Sequence, residues 1–332
     1  MLARSPKDDD NPVDSRHVIP RYAELPICAD APPNSAWGVF GRDDQLGTLN
    51  FLTPERRVNA ARLAKRGTVF NLDLPLHLPA RPFFAARKRP QHVIDRWANS
   101  TVQDDHLDGF FPQFSSQWDG LRHIRHPDYG FYNWTSIEDA HAVDGRLGIQ
   151  NFARHGIVGR GVLLDVARYF AARGTALPPD QFMTFSPGLL DNVATAQRVE
   201  LNPGDIVMLR TGMAAMLRAE ADRGEFSDEP RTGFACPGLD QGEDSLAWLW
   251  DHQVAALVGD NLAVEAFPFN REKKVIHHWG IAMLGLVLGE LFDLEDLAAD
   301  CAEDGVYECF FVAKPLMLRG GVGSPANAMA IK

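Results

Sequence analysis

Four short apolar runs, residues 162–166, 206–209, 254–258 and 308–312, constrain this chain most. Each has strand length and lies close to Gly, Asp or Pro, which reads as a strand buried in a core. Helical signals fall before and between them. Thr53-Pro54-Glu55 offers an N-cap, a proline at the first helical position and an acid at the positive end of the dipole, with Gly67 as the expected stop. Residues 189–198 and 240–253 read as further helices, the second with Leu246, Leu249 and Trp250 on one stripe. No repeat of fixed period is present. The pattern predicts a mixed α/β protein with a central sheet flanked by helices.

A chain of 332 residues with 45% hydrophobic content can bury an enzyme-sized core. Residues 1–20, with Lys7-Asp8-Asp9-Asp10 and little apolar content, are expected to form a mobile tail ahead of one catalytic domain over 21–332. That start carries no apolar signal core, and the longest apolar run, 281–288, is far short of a bilayer span, so a cytoplasmic location is expected. A net charge of −11 argues against nucleic-acid binding, which needs a basic face. Cys28, Cys236, Cys301 and Cys309 form no C-x-x-C pair and are expected to be reduced, with Cys236 the one candidate nucleophile.

The stretch Gln113-Phe-Ser-Ser-Gln117-Trp-Asp119-Gly-Leu-Arg-His123 concentrates polar side chains in an apolar neighbourhood. If it is extended, Gln113, Ser115, Gln117 and Asp119 share one face, with adjacent members about 6.6 Å apart, so that Gln117 and Asp119 can share a small ligand. Gln113 and His123 then need a bend, which Ser-Ser and Asp-Gly can supply. On spacing alone, a polar edge strand with solvated side chains explains the run equally well.

The run resembles the His-x-Gly-Thr-His-x-Asp-x-Pro-x-His signature of the cyclase family, whose members include bacterial kynurenine formamidase, isatin hydrolase and trans-dienelactone hydrolase. Asp119 and His123 match, whereas Gln113 and Gln117 stand where that family has two metal-binding histidines. Trp37-Gly38, Asp43-Asp44-Gln-Leu-Gly47-Thr48-Leu-Asn50, Gly159-Arg160-Gly161, Pro203-Gly204-Asp205, Pro237-Gly238-Leu239, Gly259-Asp260-Asn261, His277-His278 with Glu290, and Gly323-Ser324-Pro325 are similar to family blocks in the same order.

The resemblance implies a swivelling β/β/α-type fold with a mixed sheet flanked by helices, and a metal site between sheet and helices. Residues 81–96, basic and proline-containing, are expected to form a surface loop over that site. It also implies metal-dependent hydrolysis of a small amide, lactam or lactone by activated water, in a homodimer or homotetramer. Asp119, Gln113, Gln117 and His123 are the implied metal residues, and His123, His278 and Glu290 the implied proton-handling residues. Residues 278 and 290 would lie about 18 Å apart on one straight helix, so a short helix over 281–288 is expected between them.

Because a carboxamide oxygen is a weaker donor than imidazole, three arrangements are open. The site can hold a hard ion such as Mn²⁺ or Mg²⁺ through Asp119 and glutamine oxygens. It can keep Zn²⁺ on His123, His278 and Asp119 or Glu290. It can also hold no metal and act as a cyclase or isomerase, or bind without turnover.

Overall fold

The computed structural model describes residues 18–96 and 101–332. Residues 1–17 of the expected tail lie outside the described residues. From residue 20 the chain is pinned to the globule: the Pro20 carbonyl accepts from Trp250 Nε1 at 2.8 Å, and the Tyr22 N–H donates to Asp251 Oδ1 at 2.8 Å.

A nine-stranded sheet runs in the order Val69–Asn71, Ala328–Ile331, Glu308–Ala313, Ile157–Asp165, Ile206–Arg210, Ala256–Gly259, Val287–Glu290, Gln117–Asp119, Gly323–Pro325. The four strands from Ile157–Asp165 to Val287–Glu290 are parallel and the outer pairings antiparallel. The parallel strands are buried on both faces, which is why they appear as unbroken apolar runs in the sequence. Helices Pro54–Ala61 and Pro187–Gln197 pack on the Ile157–Asp165 strand. The first begins on its expected chemistry, and the second begins two residues before the expected 189 on the same chemistry, with the Thr53 or Ser186 hydroxyl accepting the N–H three residues on and proline at the first turn. The result is the mixed sheet flanked by helices that the pattern predicts.

The departures have local causes. The first helix stops at Ala61 rather than at Gly67, because the Arg66 and Thr68 N–H groups pair with the Lys332 carbonyl beside the edge strand. The expected helix over 281–288 is instead a π-helix, His277–Leu284, followed by the strand Val287–Glu290. Gly285 separates the two at φ +67°, where a Cβ would meet Gly47 Cα at 2.8 Å and the Tyr132 ring at 2.7 Å. Residues 113–119 are not one extended strand, since only Gln117–Asp119 pairs. The stretch 81–96 divides: 91–96 joins 103–108 in a separate two-stranded sheet, and the residues before it reach the pocket described below. No helix among the described residues is long and apolar enough to cross a membrane.

Candidate metal centre

Antiparallel pairing of Gln117–Asp119 with Val287–Glu290 sets Glu290 opposite Gln117 and Leu288 opposite Asp119, all on one face. Trp118 and Gly289 meet on the other face. Gln117 Nε2 donates to Glu290 Oε2. Gln113 reaches the same strand from outside it and donates its Nε2 to Asp119 Oδ1 at 2.6 Å. That approach requires Gly323 opposite Asp119, because a Cβ there would lie 2.7 Å from the Gln113 side chain. Both glutamines therefore hold a carboxylate by the amide nitrogen, and each leaves that carboxylate's other oxygen to the pocket.

His277, at the start of the π-helix, is the third member. Its N–H and Nδ1 both reach Glu265 Oε1, at 2.9 and 2.7 Å, while the Ile276 N–H takes Glu265 Oε2 at 2.9 Å. Glu265 thus caps the helix and orients the ring with one carboxylate. The ring's Nε2 lies 2.9 Å from Glu290 Oε1 and 3.6 Å from Asp119 Oδ2. One ligand atom each from Asp119, His277 and Glu290 lies within 4.8 Å of the other two, and all three residues are buried.

The charges are strongly coupled. Burial raises the Asp119 carboxyl, but His123, His277 and Arg87 outweigh it and hold the group down at about 2. Burial and the Asp119 charge push Glu290 up to about 7, against the pull of His277 and Arg87. Burial lowers His277, yet the Asp119, Glu265 and Glu290 carboxylates around its ring leave it well above the usual histidine value. His123, with Nε2 3.8 Å from Asp119 Oδ1, is lowered by burial despite that carboxylate.

These residues fit a divalent ion. Asp119 Oδ2 is buried and accepts no hydrogen bond among the described residues, the state of an oxygen kept for a ligand outside the protein. Two carboxylates and an oriented imidazole are a donor set suited to Zn²⁺ or Mn²⁺, with positions left for water.

Of the residues singled out in the sequence, Gln113, Gln117, Asp119, His123 and Glu290 come together here. His278 does not: it is half-buried on the far side of the helix start, its Nδ1 3.0 Å from the Arg125 carbonyl oxygen. The sequence reading took His278 of the His277-His278 pair, and the fold puts His277 there instead, because the choice depends on a helix phase that spacing does not give. Glu265 carried no sequence signal, and Arg87 carried only its place in the basic stretch expected over the site. Cys236 is buried beside this region, and desolvation pushes its thiol up to about 12, which leaves no nucleophilic thiolate near neutral pH.

The pocket over the cluster has a volume of about 240 Å³ and is walled by Phe84, Ile124, Leu262, Phe267 and Phe269, with Arg87 and His123 as polar members. A mixed α/β sheet carrying a buried carboxylate–imidazole–carboxylate cluster under an aromatic pocket defines a candidate metalloprotein. The "Putative cyclase" family model matches residues 71–266, and a crystal structure of a novel cyclase is 32% identical, with a TM-score of 0.76, over 90% of this chain and 99% of that one. The chain belongs to the cyclase family. Its fold is also similar to isatin hydrolase A from Ralstonia solanacearum (15% identity, TM-score 0.57, 84% of this chain and 97% of that one). A similar likeness holds for an isatin hydrolase bound to the product analogue thioisatinate (16%, 0.56, 82% and 95%). No curated protein sequence matches the chain.

Proposed function

We propose that this protein is a hydrolase that uses a divalent ion, Mn²⁺ or Zn²⁺, to open a small cyclic or aryl amide, lactam or lactone. The observation that carries the reading is the convergence of Asp119 Oδ2, Glu290 Oε1 and His277 Nε2, with the Asp119 oxygen buried and accepting no hydrogen bond among the described residues. The isatin hydrolase names borne by two fold neighbours favour the same chemistry.

Asp119, His277 and Glu290 would hold the ion, with Gln113, Gln117 and Glu265 fixing their orientations. A bound ion polarises a carbonyl and lowers the pKa of water. His123 carries the proton traffic. Its lowered pKa leaves the imidazole neutral near pH 7, ready to accept a proton as water adds to the carbonyl carbon. The imidazolium then hands that proton to the departing nitrogen or oxygen as the acyl bond breaks, giving a carboxylate and an amine or alcohol. Phe84, Phe267 and Phe269 exclude water from a flat substrate.

The test measures metal content of the purified protein and chelator-reversible turnover on a panel of isatin, aryl formamides and lactones. Asp119→Asn should lose most bound metal and most turnover while the protein stays folded. Full metal content in that variant would remove the assignment. Turnover that survives complete metal removal would favour the isomerase or cyclase alternative.

A further inference from the structure

Arg87 is the cation of the pocket that the proposed hydrolysis does not use. It enters from the stretch ahead of the 91–96 strand and is fixed on two sides. Its Nη1 donates to the Gln113 carbonyl at 2.8 Å and lies 3.4 Å from Gln117 Oε1, and its guanidinium sits 5.0 Å over the Phe84 ring. Among the described residues no carboxylate pairs with it, and no hydrogen bond from its Nε or Nη2 is present. An arginine held in place with most of its donors unspent, beside three aromatic rings, is built for a planar anion, since the guanidinium fork matches a carboxylate in two hydrogen bonds.

We infer that Arg87 receives the carboxylate of an aromatic substrate, so the enzyme selects aryl carboxylates over neutral aryl compounds of the same size. The inference rests on the pocket being a substrate site, as proposed above, but not on the reaction carried out there. The carboxylate docks on Arg87, the ring lies among Phe84, Phe267 and Phe269, and the scissile carbonyl is left over Asp119, His277 and Glu290.

The experiment compares binding of benzoate and benzamide by calorimetry to the wild-type holoprotein, Arg87→Gln and Arg87→Lys, alongside metal content and turnover on the hydrolysis panel. Wild type should prefer benzoate by at least about tenfold. Arg87→Gln should lose the preference, and Arg87→Lys, which keeps the charge but not the fork, should keep only part of it. An unchanged preference in Arg87→Gln, or no preference in wild type, overturns the inference even if the protein hydrolyses the panel. Equal weakening of both probes together with lost metal assigns Arg87 to the metal site and also overturns it. A preference that depends on Arg87 in a protein without metal-dependent hydrolysis would instead sink the proposed reaction and leave this inference standing.

Discussion

Glu265 holds His277 twice through one oxygen, which accepts from the backbone N–H at 2.9 Å and faces Nδ1 at 2.7 Å. This contact settles which ring nitrogen is available. With Nδ1–H committed to Glu265, Nε2 is left facing Glu290 and Asp119.

Glu265→Gln keeps the shape of that contact and removes its charge. Metal affinity should fall about 10- to 100-fold, as is usual when the partner of a ligating histidine is weakened. Titration of metal-free protein with Mn²⁺ or Zn²⁺ reads this directly. An affinity within experimental error of wild type would mean that His277 is not a ligand.

The tandem histidines should separate cleanly. His277→Ala should abolish tight metal binding and lower kcat by about 10² to 10⁴, whereas His278→Ala should leave both close to wild type. Steady-state kinetics and metal analysis of the two variants decide the matter. Equal losses in both would contradict the geometry, because His278 points at the Arg125 carbonyl and away from the cluster.

Metal affinity should rise with pH through neutrality. Glu290 is pushed up to about 7 and His277 well above its ordinary value, so both carry protons on the acid side. An ion must displace those protons, which costs more at about pH 6 than at about pH 8. Calorimetry at the two pH values, in buffers of different ionisation enthalpy, should show proton release that grows as pH falls. A pH-independent affinity would mean that the two groups do not ligate.

His155 offers a test of stability away from the site. Burial, then the Arg57 guanidinium 2.7 Å from its Nε2, lowers it to about 4. A histidine depressed in the folded state contributes stability that is present above its ordinary value near 6.5 and is lost as pH falls toward 4. Acidification from about pH 7.5 to about pH 4.5 should therefore lower the Tm of wild type more than that of His155→Gln. Parallel loss of Tm in the two proteins would show that His155 does not sense this interval.

Two expected runs coincide closely with the strands Ile206–Arg210 and Ala256–Gly259, because parallel strands buried on both faces must be apolar throughout, and a third with Glu308–Ala313, an antiparallel strand of alternating burial. The start of the first helix was legible because capping is local, needing only Thr53 and the proline after it. Asp119, Gln113, Gln117, His123 and Glu290 could be named for the same reason that they form a motif: four of them lie within eleven residues. Three things needed the tertiary structure. The choice of His277 over its neighbour follows from a π-helix whose phase is set by Glu265, twelve residues earlier. The placing of Glu290 beside Asp119 follows from an antiparallel pairing across more than 160 residues of chain, and its register cannot be read from either strand alone. The third is the role of the glutamines. The sequence presents Gln113 and Gln117 as weak ligands, but the fold gives each a carboxylate to hold, because side-chain hydrogen bonding depends on which groups meet in space and composition does not record that.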